Sequence, residues 1–216
     1  LQAAAEPALT VLMGGLLLAA ALFAPWLLLR HYRALTRAGI EHEQSAYLAT
    51  HDVLTGLPNR YLLGDRFSHA VHNWQRNGTR FAVILIDLDH FKEINDQHGH
   101  AAGDEVLRTV TQRLREVVRH GDEIARLGGD EFALLVPGAD ETEMTTLADR
   151  LVRAVEQITF GYEGQSLRLG TSVGVALFPQ HASNGEELIA NADMAMYQAK
   201  AAGKNTWRIY RPDQNI

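Results

Sequence analysis

The chain contains no cysteine, which excludes a disulfide scaffold, a thiolate zinc site and a cysteine nucleophile, and suits a reducing compartment. It has no basic surplus either: 20 Lys and Arg stand against 26 Asp and Glu, a formal charge of −6. Nucleic-acid binders carry the opposite balance, because their cationic side chains gain affinity by releasing phosphate counterions. No nucleic-acid partner is therefore expected, and any nucleotide would be held singly, together with a cation. No internal repeat or low-complexity tract is present. What remains is an ordinary globular composition, 46% hydrophobic and 21% charged over 216 residues, longer than one typical domain of about 150 residues requires.

The apolar residues are segregated. Residues 8–29 (ALTVLMGGLLLAAALFAPWLLL) carry no charge; as a helix rising about 1.5 Å per residue they span about 33 Å, one bilayer core. Only Glu6 is charged before them, while Arg30, Arg33 and Arg37 follow, so the positive-inside rule sets the carboxyl end in the cytoplasm, with Trp26 near that interface. A secretory signal would carry its positive charge at the other end, and a buried helix of a soluble fold would show a polar face. The expectation is one transmembrane helix in the inner (cytoplasmic) membrane, kinked or ended by Pro25, with the rest of the chain in the cytoplasm. Residues 1–7 read as the end of an upstream, extracytoplasmic segment. Residues 30–50 mix charges with Tyr32, Leu35, Ile40, Tyr47 and Leu48 and read as a juxtamembrane signalling linker helix able to pair with its own copy. The first fifty residues hold three Arg and three Glu, so the whole −6 falls in residues 51–216.

In that second part, residues 81–88 (FAVILIDL) form a continuous apolar run ending in acid, the pattern of a central strand buried on both faces. Residues 101–119 follow as a helix, with Val106, Leu107, Val110, Leu114 and Val117 at three-and-four spacing. Residues 123–127 and 132–136 read as short strands joined by Gly128-Gly129-Asp130-Glu131, a hairpin whose glycines supply positive φ. Residues 140–158 read as helix, 167–178 as strand, 185–202 as helix and 206–210 as a last strand. The class is α+β: one central, mostly antiparallel sheet flanked by helices.

Three carboxylates gather at strand ends: Asp87, and Asp130 with Glu131 on the hairpin tip. If the hairpin lies beside the central strand, these negative charges share a small volume and need a cation. With the Leu88 carbonyl they are hard oxygen ligands suited to Mg²⁺ or Mn²⁺ carrying substrate phosphates. Two readings stand at this point, a metal site or a polar turn beside a helix cap formed by Asp87-Leu88-Asp89. The histidines lack the spacing and accompanying base of a zinc hydrolase.

The string Arg126-Leu127-Gly128-Gly129-Asp130-Glu131-Phe132, preceded by Asp87-x-Asp-x-Phe91-Lys92-x-x-Asn95-Asp96-x-x-Gly99-His100-x-x-Gly103-Asp104, resembles the GGDEF-domain diguanylate cyclases. So do an opening segment, His51-Asp52-x-Leu54-Thr55-Gly56-Leu57-Pro58-Asn59-Arg60, and a closing one, Lys200-x-x-Gly203-Lys204-Asn205. Four blocks in the right order place the catalytic domain at residues 51–212. The resemblance implies a palm-like fold akin to class III nucleotide cyclases, and condensation of two GTP into cyclic di-GMP with release of two pyrophosphates. It implies that Asp87, Asp130 and the Leu88 carbonyl hold metal, and that Glu131 binds a second Mg²⁺ or Mn²⁺ or activates the 3′-hydroxyl. Asn95 and Asp104 match guanine contacts, and Lys92, Lys200 and Lys204 match positions near the phosphates. Phe91, Gly128 and Gly129 complete the implied substrate site. Lys200 and Lys204, four apart, are expected on one helix face, and the amides of residues 89–92 are expected to donate to phosphate. Arg119 and Asp122, six residues before Gly128, match an inhibitory R-x-x-D site for the product. The implied enzyme is a homodimer, because each domain binds one GTP and half of the reaction. The alternatives are a catalytically silent GGDEF module that binds cyclic di-GMP or GTP as a regulatory receptor, and another nucleotidyl cyclase or polymerase-like palm.

Overall fold

Residues 81–89 dictate the centre of the molecule, because a strand with apolar side chains at every position from Phe81 to Ile86 must be covered on both faces. The computed structural model describes Phe23, residues 30–32, 46–162 and 165–212. It divides into two units, residues 1–49 and 50–216. In the first unit, residues 30–32 and 46–49 are helical. The expected membrane segment at 8–29, apart from Phe23, and most of the expected linker lie outside the described residues. Among the described residues no helix is long and apolar enough to cross a membrane.

The second unit runs α1 (Arg60–Asn77), β1 (Phe81–Asp89), α2 (Phe91–His98), α3 (His100–Val117), β2 (Glu123–Gly128), β3 (Glu131–Pro137), α4 (Glu141–Glu156), β4 (Thr159–Tyr162), β5 (Gln165–Arg168), β6 (Gly170–Phe178), α5 (Gly185–Ala201) and β7 (Thr206–Ile209). Five strands form one sheet in the order β2-β3-β1-β6-β7. β1 pairs antiparallel with both β3 and β6, β2 with β3 is an antiparallel hairpin, and only β6 with β7 is parallel, with α5 as the crossover between them. The mostly antiparallel sheet read from the sequence is what forms.

Alternation along β1 divides the core in two. Ala82, Ile84, Ile86 and Leu88 meet Phe91 and Ile94 of α2, Val106, Val110 and Leu114 of α3, and Met144, Leu147 and Leu151 of α4. Phe81, Val83 and Leu85 meet Leu188, Ala192 and Met196 of α5, with Leu63, Phe67 and Trp74 of α1 packed alongside. The helices start where side chains satisfy their free amides. Asn59 accepts from Tyr61 and Leu62, Asn184 accepts from Glu187, and Asp140 with Glu143 forms a capping box on α4.

Two readings need correction, and the structure adds a helix between β1 and α3. The strand expected at 167–178 is two: β5 leaves the main sheet to form a ribbon with β4, and β6 begins afresh at Gly170. Leu167 and Leu169 flank Arg168 in strand-like alternation up to the break, which hid it. Residues 91–98 form a helix of their own, separated from α3 by Gly99. Finally, α5 ends at Ala201 and Lys204 lies beyond it with a left-handed φ of 64°, so Lys200 and Lys204 do not share a helix face.

Candidate active site

Strand register brings the acids together. Asp87 lies directly opposite Glu131 across the β1–β3 pairing, and paired residues of antiparallel strands share a face. The turn that carries Glu131 is made by Gly128 and Gly129, at φ 142° and 52°, and a bulge between Arg126 and Gly128 breaks the hairpin register just before it. The tip is tied to β1 by the Leu88 amide, which donates to the Asp130 carbonyl at 3.3 Å.

A second tie holds the hairpin from below. The Arg126 guanidinium donates to both Asp52 oxygens, at 2.9 and 3.0 Å, and to the Gly129 carbonyl at 2.7 and 3.0 Å. Asp52 also accepts from the Thr55 hydroxyl at 2.6 Å and its amide at 2.9 Å. Burial opposes ionisation of Asp52, but the Thr55 hydroxyl and Arg126 overcome it and hold the carboxyl below its ordinary range. The opening segment of the domain thereby fixes the conformation of the Gly-Gly turn.

Asp87 and Glu131 each meet a cation from a covering helix. Lys200 Nζ, on α5, lies 2.7 Å from Asp87 Oδ2, and Arg60, the first residue of α1, lies 3.6 Å from Glu131. Burial pushes the Asp87 carboxyl up; Lys200 pulls against it, while Asp130 and Asp89 add to it. Asp89 is itself buried and structural, accepting from the Ser172 hydroxyl at 2.7 Å and the Asn205 amide at 2.8 Å.

Among the described residues no group of three acidic or imidazole side chains is arranged as a ready metal cage. The donor set nevertheless fits a hard divalent cation of the Mg²⁺ type, which takes one or two carboxylates and fills its remaining positions with substrate oxygens and water. Asp87 and Asp130 lie close enough for their charges to oppose each other, and the Leu88 carbonyl and Glu131 sit on the same strand ends.

Beyond β1 the chain turns through His90, at φ 63°, into α2, whose amino end has no side-chain cap. Lys204 comes to this point from the closing segment: its Nζ lies 3.2 Å from His90 Nε2, while His90 Nδ1 lies 2.6 Å from Glu93. The two lysines therefore reach the carboxyl end of β1 from different backbones. Lys92 is exposed on the first turn of α2. Asn95 and Asp104, both half-buried, stand on α2 and α3 on either side of Gly99. Phe91 is buried in the core, and its ring packs beside Gly103; it supports the substrate face from beneath.

Arg119 and Asp122 form a separate site at the exit of α3. Arg119 Nε lies 3.2 Å from Asp122, its Nη2 donates to the Pro137 carbonyl at 3.0 Å, and Glu143 is 3.7 Å away. They border a cleft of about 290 Å³ that Thr142, Thr146 and Arg150 also line. The sequence shows Arg60 only as part of the opening segment, with no role, and does not point to Arg150. Arg60 directly follows a helix-capping Asn, but its partner is 71 residues away, and the partner of Arg150, the Val117 carbonyl, carries no sequence signal at all.

The diguanylate cyclase GGDEF domain model matches residues 49–206. The bifunctional diguanylate cyclase/cyclic di-GMP phosphodiesterase MucR of Pseudomonas aeruginosa is 44% identical over 168 residues, 78% of this chain and 24% of that protein. Diguanylate cyclase TpbB of the same species is 41% identical over 170 residues, 78% of this chain and 39% of that protein. The solved GGDEF domain of TpbB superposes with a TM-score of 0.71, covering 74% of this chain and 94% of that one. The coiled coil and GGDEF domain of DgcB from Caulobacter crescentus, solved in complex with c-di-GMP, gives a TM-score of 0.76 at 28% identity, covering 84% of this chain and 96% of that one. The chain thus spans between about a quarter and two fifths of the length of these curated relatives. With the family model covering most of the chain and the acids, turn and fold all in place, this chain belongs to the GGDEF-domain family of diguanylate cyclases.

Proposed function

We propose that the chain is a membrane-anchored diguanylate cyclase that joins two GTP into cyclic di-GMP and releases two pyrophosphates. One observation carries the reading: the β1–β3 register sets Asp87 opposite Glu131 beside Asp130, with Lys200 at Asp87 and Lys204 at the start of α2. Acids that gather cations and lysines that meet phosphates are what nucleotidyl transfer requires. All three acids are present, which favours a working cyclase over a silent receptor module.

Asp87, Asp130 and the Leu88 carbonyl would hold Mg²⁺ or Mn²⁺, with Glu131 serving a second ion or the attacking hydroxyl. Such cations supply neutralisation of the phosphate charge and stabilise attacking and leaving oxygens. The chain's own work is positional. Asn95 and Asp104 hold the guanine, whose N1–H and 2-amino group a carboxylate accepts. The α2 amides and Lys92, Lys200 and Lys204 hold the phosphates. The 3′-hydroxyl of one nucleotide attacks the α-phosphorus of the other, pyrophosphate leaves, and the reciprocal step closes the ring. Since one domain binds one GTP, two chains must face each other. Residues 8–29 anchor each chain in the inner membrane with this domain in the cytoplasm, and 30–50 link the two. Cyclic di-GMP returns to Arg119 and Asp122 and restrains the enzyme.

The full chain in detergent, given GTP and Mg²⁺, is expected to yield cyclic di-GMP. Glu131→Ala is expected to lower turnover at least ~100-fold, the scale on which loss of one preorganised charged group acts. Full turnover in Glu131→Ala would overturn the site assignment. In the same assay, Arg119→Ala should keep wild-type initial rates and require ~10-fold more added cyclic di-GMP for half inhibition, the scale of one lost charge-assisted contact; superimposable inhibition curves would remove the feedback site.

A further inference from the structure

Gly103 lies inside α3, in ordinary right-handed helix, where nothing in the backbone conformation requires glycine. Glycine is among the poorest residues for such a position and alanine the best, so its presence calls for a cause in the surroundings. That cause is Asn95. A Cβ at residue 103 would lie 2.0 Å from Asn95 Oδ1 and 2.9 Å from Asn95 Cγ, so the Asn95 carboxamide fills the space that any other residue's side chain would claim.

The carboxamide has little room to retreat inward. The main-chain carbonyl of Asn95 accepts from the Gly99 amide at 2.9 Å, which fixes the backbone that carries the side chain, and buried Phe91, one turn earlier on α2, stands 3.2 Å from the same Cβ position on the core side. A methyl group at residue 103 would collide hardest with the Asn95 amide and push it away from α3 and from Asp104, the next residue, whereas Phe91 need give by only a few tenths of an ångström.

We infer that Gly103 is a positioning residue for base recognition: it seats the Asn95 carboxamide against α3 so that amide and Asp104 carboxylate read one purine edge together. This rests on the proposed role of Asn95 and Asp104 in holding guanine. A site built to hydrogen-bond a base discriminates through groups left unpaired by the wrong one, and a displacement of about 1 Å is enough to lose that discrimination.

The test is a double-variant cycle in the full chain, with wild type, Asn95→Ala, Gly103→Ala and the double variant assayed on GTP and on ITP, which lacks the 2-amino group. Gly103→Ala is expected to raise KM for GTP ~10-fold with kcat within ~2-fold and to narrow the preference for GTP over ITP. The double variant is expected to match Asn95→Ala alone, because the glycine acts only through that side chain. The inference is overturned if Gly103→Ala leaves KM and the GTP/ITP ratio unchanged, or if its effect multiplies in full onto that of Asn95→Ala. It is equally overturned if Gly103→Ala lowers Tm and removal of the Asn95 carboxamide fails to restore it, since the strain then lies elsewhere. An Asn95→Ala variant with wild-type KM and GTP/ITP preference would instead remove the guanine reading, and this inference with it.

Discussion

Asp87 and Asp52 are both partly buried acids with a cationic partner, and their environments push them in opposite directions. Asp87 is raised by burial, with Asp130 and Asp89 adding to it against Lys200. A group raised in the folded state favours folding at low pH, and that contribution is lost as pH rises through its folded pKa. A carboxyl raised by burial beside like charges is what a site built for binding shows. Asp52 is lowered, Thr55 and Arg126 outweighing burial. Its stabilisation is present above the unfolded value near 3.9 and is lost as pH falls through the lower folded value. Asp52→Asn should cost about 1–3 kcal/mol at pH 7, because Arg126 loses a charged partner in a largely buried setting. Thermal melts from pH 7 to pH 2 should show the gap between variant and wild type closing at the acid end. A gap of constant size would show that Asp52 acts by shape alone.

The hairpin from β2 to β3 is the element on which the site depends. It carries Asp130 and Glu131 and takes its register from β1. At φ 142° Gly128 occupies a region that side chains rarely enter, whereas Gly129, at 52°, lies in the left-handed region that asparagine tolerates. Gly128→Ala should therefore cost about 1–3 kcal/mol in urea unfolding and lower kcat by more than ~10-fold as the acids shift. Gly129→Asn should remain close to wild type in urea unfolding. Equal damage from both variants would mean that the turn needs smallness rather than conformation. This hairpin was legible in the sequence because two short strand-like runs are punctuated by its glycines, and β1 was legible because a fully apolar run has few other uses. Helix α1 carried an equally plain signal, the Asn59 cap with Leu63, Phe67, Ala70, Val71 and Trp74 on one face, masked by a polar majority that leaves no residue fully buried. Lys204 misled because four-residue spacing was read as continuous helix across Gly203, whose φ of 115° marks the end of α5. The pairs Lys200–Asp87 and Arg60–Glu131 join elements distant in sequence, so only the packing of α5 and α1 against the sheet creates them.

At the scale of the whole molecule, the proposed reaction constrains the assembly more than any single contact does. Under the proposed function one domain offers one set of acids and one guanine site, and so delivers one nucleotide. The ring of cyclic di-GMP needs two reciprocal bonds, each requiring an attacking hydroxyl from the facing chain. A pair in which one member lacks a working acid centre can form one bond and stops at the linear dinucleotide. Inactive chains should therefore act against active ones. When wild type is co-purified with a ~10-fold excess of Glu131→Ala, random pairing leaves about one wild-type chain in eleven with a wild-type partner. Cyclic di-GMP formed per wild-type chain should then fall ~10-fold, and the linear product should accumulate. A cyclase that completes both bonds within one chain would keep its full rate per wild-type chain at every mixing ratio, and that result would remove the dimer from the mechanism while leaving the acid centre in place.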